Sequence, residues 1–252
     1  MTKHLAVASA VLAFATVSPN VAGAEKTGTP PNARVDIQLS LCSPPEQVES
    51  ALHLQRRGAP LEVWLFDDPA LSLFERGLRF RLRLTKGQAE LTVKVANQDC
   101  AKLALGLVPS GEGKCEYDIH GTTMAGAVSL SRSLDASATR DLLGGQLPLA
   151  EALSATQIHY LRSMVGVWPL PAGVRALGPQ QVASYGAKGK PYGVDVSQMP
   201  TGAPYVEISR KVPAVDATRL YEALVSELTL AGVTICTDQS SQAGNKLRSL
   251  KR

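Results

Sequence analysis

Leu78-Arg79-Phe80-Arg81-Leu82-Arg83-Leu84 alternates apolar and polar side chains without a break. A period of two predicts a β-strand with Arg79, Arg81 and Arg83 on one face. The pattern recurs. Val35–Leu41 groups Asp36, Gln38 and Ser40, and Glu90–Val95 groups Glu90, Thr92 and Lys94. Cys115–His120 groups Glu116, Asp118 and His120, and Tyr205–Val212 groups Tyr205, Glu207, Ser209 and Lys211. Strands with one apolar face belong to antiparallel sheets with one buried side. Alternation alone fits two arrangements: an open sheet whose polar faces are solvated, or a closed barrel whose charged faces point inward.

Further strands are predicted at Glu62–Phe66, near Val174–Leu177 and Tyr192–Val196, and at Val233–Cys236, with Gly77–Thr85, Ala89–Val95, Lys114–Gly121, Gly126–Arg132 and Pro204–Val212 framing the alternating runs. Ser43-Pro44-Pro45-Glu46 reads as the start of a helix, capped by Ser43, boxed by Glu46 and ended by Gly58. A helical insert spans about 134–170, with helices at Ala136–Leu143 and Leu153–Val165. Ser154 and Gln157 there are placed as a helix cap. Pro213–Ala231 is predicted as a helix with Ala217, Leu220, Leu224 and Leu228 on one face, and the polar tail from Ser240 as helical or frayed. The fold class is α+β, dominated by an antiparallel sheet or barrel.

Residues 1–24 read as a secretory signal, with Lys3, an apolar run over Leu5–Val17 and the small-residue end Val21-Ala22-Gly23-Ala24. Residues 25–33 read as a flexible leader. The expected setting is secreted or periplasmic, with no membrane association after cleavage. The formal charge of +4 falls to +3 without Lys3. So mild a charge argues against a nucleic-acid partner, and any anion site must come from local clustering. Four cysteines in an exported chain favour two disulfides. The turn region Gly106–Gly113 lies between Cys100 and Cys115 and suggests that pair, leaving Cys42 with Cys236. The sequence itself allows three connectivities.

Three adjacent guanidiniums repel one another unless water or an anion separates them. Arg presents paired donors that match phosphate oxygens, so a polyanionic small molecule is the natural partner for such a face. Other chemistry is weaker. His4, His53, His120 and His159 show no paired spacing, and Gly189-Lys190 lacks the hydroxyl residue that closes a P-loop, since Pro191 stands there. Trp64 and Trp168 read as packing residues.

The order of segments resembles the CYTH family, the triphosphate tunnel metalloenzymes. Leu65-Phe66-Asp67-Asp68-Pro69, followed by Gly77 and Leu78-Arg79-Phe80-Arg81, is similar to the family's aromatic-Asp-Thr-Pro turn and Arg-x-Arg strand. Leu91-Thr92-Val93-Lys94 resembles its Thr-x-Lys strand. Cys115-Glu116-Tyr117-Asp118 and Tyr205-Val206-Glu207-Ile208-Ser209 resemble its later acidic strands. The resemblance implies an eight-stranded antiparallel β-barrel, a tunnel with flanking helices, formed by residues 34–252. It implies phosphate binding by Arg79, Arg81 and Lys94, with Arg83 and Lys211 as further candidates on the same kind of face. It also implies Mg2+ or Mn2+ held by Asp36, Glu116 and Glu207. Members hydrolyse tripolyphosphate or thiamine triphosphate, or cyclise ATP.

The first strand departs from the family pattern. Where the family has Glu-x-Glu-x-Lys, this chain has Asp36-x-Gln38-x-Ser40. One acid is shortened, one is a neutral amide, and the lysine is a hydroxyl. Three functions follow: a metal-dependent phosphohydrolase acting on a triphosphate or polyphosphate, an anion-binding tunnel that has lost catalysis, or a structural protein.

Overall fold

The computed structural model of the 252-residue chain describes residues 33–100, 113–120, 123–239 and 242–250. The expected signal, the leader up to residue 32 and most of the Gly106–Gly113 turn lie outside the described residues. Nine strands form one closed barrel: β1 (Arg34–Leu41), β2 (Gln55–Asp67), β3 (Leu78–Thr85), β4 (Gln88–Ala96), β5 (Gly113–His120), β6 (Thr123–Leu134), β7 (Arg175–Gly186), β8 (Gly193–Gln198) and β9 (Tyr205–Pro213). Around the ring the order is β1-β5-β6-β4-β3-β2-β7-β8-β9, and β9 closes on β1.

The barrel is mixed, which corrects the expected eight-stranded antiparallel ring. An odd number of strands cannot alternate in direction all the way around. One neighbouring pair must run parallel, and here it is β1 with β5, Asp36 beside Asp118. The chain leaves β4, crosses to β5, and returns through β6 to fill the gap between them.

The two larger clusters of the hydrophobic core lie outside the barrel. Leu78, Phe80 and Leu82 of β3, Leu91, Val93 and Val95 of β4, and Val128 and Leu130 of β6 face outward. They are covered by α3 (Ala136–Leu143), α4 (Leu149–Ala152) and α5 (Ala155–Tyr160), which runs into a π-turn at Leu161–Val165. On the other flank Val35, Ile37 and Leu39 of β1 and Val206 and Ile208 of β9 pack on α1 (Pro45–Ala51) and α6 (Ala217–Leu230). Helices take the apolar faces, so the alternation sends the polar faces into the lumen. A short α2 (Ser72–Glu75) joins β2 to β3. The last helix, α7 (Gln242–Leu250), places Leu247 on Leu65, Leu71 and Leu177, over the end of the barrel where β2 passes into β3.

Several local expectations change. The first helix stops at Ala51, with Leu52 as its C-cap and His53 at φ 50 turning the chain, and Gly58 lies inside β2. Ser43 does not cap that helix, because its hydroxyl accepts the Thr234 amide at 2.8 Å instead. The strand near Val174–Leu177 extends to Gly186 through Gly178-Pro179. The β2–β7 ladder absorbs that dipeptide as a register shift between Val63 and Leu65. Val233–Cys236 contributes one bridge, Leu41 to Ile235, and not a strand. Ser154 does form a capping box with Gln157, whose amide also donates to Leu91 O and Leu130 O and ties α5 to β4 and β6. Both disulfides, Cys42–Cys236 and Cys100–Cys115, are present.

Candidate functional site

The turn before β3 sets the arginine strand. Asp67 is buried, and its carboxylate accepts backbone amides from Asp68, Leu73 and Phe74 at 2.8, 3.0 and 2.9 Å. Burial raises its pKa, against the pull of those three bonds. Asp68 takes the Ser72 hydroxyl and the amides of Ala70 and Ser72, and these bonds lower its pKa, the Ser72 hydroxyl most. The Asp-Asp-Pro run therefore works as a backbone clasp. It delivers β3 in the register that pairs Arg79 with Lys94, Arg81 with Thr92 and Arg83 with Glu90.

Arg79, Arg81, Arg83 and Lys94 line a lumen of about 380 Å³, together with Gln38, Asp118, Asp195, Glu207, Gln180 and Lys246. Arg79 is the most anchored. It donates to Phe74 O and Leu78 O, both at 2.9 Å, and its guanidinium stacks 3.6 Å from the Phe74 ring centroid. Arg81 sits deeper, and its Nε is buried without a hydrogen-bond partner among the described residues. Burial, then the neighbouring Arg83, pulls its pKa down to about 9, while Arg79 falls to about 10 through burial. Burial also lowers Arg83. Two cations directly opposite one another, Arg79 and Lys94, repel. Lys94 is balanced by an ion pair with Asp118, two strands along the wall beyond β6.

The facing arc is acidic. Glu207 on β9 sits opposite Asp195 on β8 and Ser40 on β1. Burial raises the Glu207 pKa, Lys246 draws it down, and Asp195 and Asp36 add to the rise. Lys246 comes from α7, and burial lowers its pKa against the attraction of Glu207 and Asp195. Gln38 donates to Asp36 Oδ2 at 3.2 Å and to Asp118 Oδ1 at 3.5 Å.

The predicted residues therefore divide. Arg79, Arg81, Arg83, Lys94 and Glu207 converge on the lumen. Asp36, Glu116 and Lys211 fall outside its lining. Lys211 donates to Glu116 at 2.7 Å, Lys114 pairs with the other Glu116 oxygen at 2.9 Å, and Asp36 lies beside Lys211 in the β1–β9 ladder. Sequence reading missed Lys246, Asp195 and Gln180. Asp195 falls in an alternating run, Val194-Asp195-Val196, that could have shown it. Lys246 carries no local signal, because only the docking of α7 brings it inside.

A divalent cation needs several oxygen ligands with free lone pairs. Among the described residues no group of three His, Cys, Asp or Glu is placed to hold one. Asp118 is engaged by Lys94 and Gln38, Glu116 by two lysines, and Glu207 faces Lys246, while Asp36 keeps a buried Oδ1 without a partner among the described residues, one open oxygen where a divalent cation needs several. This donor set does not fit Mg2+ or Mn2+ as it stands. It fits a lumen whose carboxylates balance lysines.

No family model matches the chain, and no curated protein matches it by sequence. Solved structures do match its fold. HpAC1 from Hippeastrum, an adenylyl cyclase candidate described as having a dominant triphosphatase activity, superposes with a TM-score of 0.54 at 16% identity, covering 82% of this chain and 92% of that one. An adenylate cyclase candidate from Bacillus halodurans superposes at 0.52 with 13% identity, covering 84% and 98%. The likeness is one of fold.

Proposed function

We propose that this chain binds a triphosphate- or polyphosphate-type anion in its lumen, on Arg79, Arg81, Arg83 and Lys94. The observation that carries the reading is Arg81, a guanidinium enclosed by the barrel whose Nε has no partner among the described residues. A buried charged donor left unsatisfied is costly, and a phosphate oxygen supplies both the missing acceptor and the countercharge. Arg79 and Lys94, held side by side at adjacent strand positions, gain from the same anion. The exported setting belongs to this reading. Two disulfides are compatible with a secreted or periplasmic compartment, and among the described residues no helix is long and apolar enough to cross a membrane.

Calorimetric titration with tripolyphosphate tests it. Arg81→Ala and Lys94→Ala should each weaken binding by about 1.5–3 kcal/mol, the range of a charge-assisted hydrogen bond. No binding at low salt, with or without Mg2+, leaves only the structural reading.

Hydrolysis of the bound anion is the second reading, and the triphosphatase activity described for the Hippeastrum protein favours it. Phosphate release from tripolyphosphate with Mg2+ or Mn2+ checks it. Binding without release identifies a tunnel that has kept its anion site and lost catalysis.

A further inference from the structure

The lumen has a third arc that neither the arginines nor the acids explain. Leu61, Val63 and Leu65 project inward from β2, and Val182 from β7 lies across the ladder from Leu61. Leu65 is covered by α7 through Leu247. Val63 and Val182 are 4% and 9% exposed, yet neither belongs to any of the three clusters that form the core. They are buried inside the tunnel, outside those clusters, and share the cavity wall with Leu61 and Leu65. Ala96, Ala125 and Ala127 line the same cavity with small side chains that leave space in front of them. Gln180, 3% exposed and opposite Val63, keeps its Oε1 without a partner.

This apolar strip runs beside the arginine ladder. Leu65 is paired with Arg81 and Val63 with Arg83 across β2 and β3. It also leads outward. A second cavity of about 480 Å³, at the β3–β4 turn, shares Leu61 and Arg83 with the lumen and adds Ala89 and Leu134. An inorganic polyphosphate would use the cations and make no apolar contact with this strip. No aromatic side chain lines the lumen among the described residues, so a nucleobase finds no aromatic ring to stack on there. A volume of about 380 Å³ is in the range of small-molecule sites, where an apolar wall and a few placed polar groups fix one ligand.

We propose that the lumen takes a phosphate or diphosphate monoester of an aliphatic alcohol, its anionic head on Arg79, Arg81 and Lys94 and its chain along Val63, Val182 and Leu61. The assignment rests on the reading of the lumen as an anion site and narrows the class of ligand. The ligand's alkyl chain leaves water as it enters the strip, and a hydroxyl or other donor on it can meet Gln180 Oε1.

Titration of the full chain with inorganic pyrophosphate and with ethyl, butyl and hexyl diphosphates tests the proposal. Affinity should rise along the series by about fourfold per methylene that becomes buried. Val63→Thr and Val182→Thr keep the side-chain shape and add a hydroxyl. They should flatten that rise and leave pyrophosphate affinity unchanged, with circular dichroism confirming the fold. Pyrophosphate binding with no gain from the alkyl chain overturns the proposal and leaves the anion site standing. A gain that survives both threonine substitutions overturns it too, as does tighter binding of adenosine diphosphate than of hexyl diphosphate. Threonine variants that weaken pyrophosphate as much as hexyl diphosphate assign the strip to tuning the arginines, and also overturn it. If neither pyrophosphate nor tripolyphosphate binds, the anion site itself fails.

Discussion

Arg81 and Glu207 line opposite arcs of one lumen and are pulled in opposite directions by the same cause. Burial disfavours charge on both, lowering the arginine and raising the carboxyl. The sign for Glu207 follows from its direction. An acid whose folded pKa is raised contributes stability below its ordinary pKa, and that contribution is lost as pH rises through the raised value. Over the same window the carboxyl ionises and adds negative charge to the lumen. Glu207→Gln should therefore bind tripolyphosphate as well as the wild type at the acid end of the window and better above it. The ratio of the two affinities in a calorimetric pH series removes the anion's own ionisation from the comparison. A ratio that does not change with pH rejects this role for Glu207. At Gln38 the test is metal dependence. Gln38→Glu places a third carboxylate between Asp36 and Asp118, and tripolyphosphate affinity should then become tighter in Mn2+ than in EDTA. Equal affinities in the two media would count against a latent metal site.

Among the elements, α7 carries the largest consequence for its size. Its Leu247 is buried on Leu65, Leu71 and Leu177, and the next turn back brings Gly244 against the Phe74 ring, where a Cβ would lie 2.4 Å from the ring edge. That close approach sets Lys246 in the lumen beside Glu207. Leu247→Asp buries a charge with no cation assigned to it and should release the helix. The expected result is faster amide exchange over residues 242–250 and a loss of tripolyphosphate affinity similar to that of Lys246→Ala, with the barrel strands still protected. Unchanged affinity in both variants would show that Lys246 does not serve the anion site. The strands carry the complementary lesson. Period-two alternation placed Arg79, Arg81, Lys94 and Glu207 on faces that turn out to be shared, because a side chain's face is fixed by parity along its own strand. Gly178-Pro179 hid the length of β7, because proline and glycine read as breakers while an irregular ladder can accommodate them.

At the scale of the whole molecule, the two disulfides close loops of very different size. Cys42 and Cys236 are 194 residues apart, and Cys100 and Cys115 are 15 apart. The long one joins the end of β1 to the segment leading into α7. Gln239 reinforces it by donating to Ser40 O at 3.0 Å and accepting the Ser40 amide at 2.8 Å. Loop-closure entropy grows with loop length, so replacing Cys42 and Cys236 by serine should cost about 2–5 kcal/mol, more than the same change at Cys100 and Cys115. Urea unfolding of the two double variants gives the comparison, and an equal or reversed order would contradict it.

What the sequence determined by itself is what local periodicity encodes: which segments are strands and which side chains share a face. The capping box at Ser154 and the turn-flanking pair Cys100–Cys115 were legible for the same reason, since each depends on nearby spacing, whereas Cys42–Cys236 followed only by exclusion. The tertiary structure decided what depends on closure. Nine strands in a ring force the parallel β1–β5 contact, and helices on the outside turn the polar faces into a lumen. Only the closed ring brings Asp195 and Gln180 to the arginines, sets Lys246 among them from a distant helix, and pairs Glu116 with Lys211 beyond the residues that line the cavity. No spacing along the chain records these contacts, because they arise between segments whose separation in sequence says nothing of their distance in space.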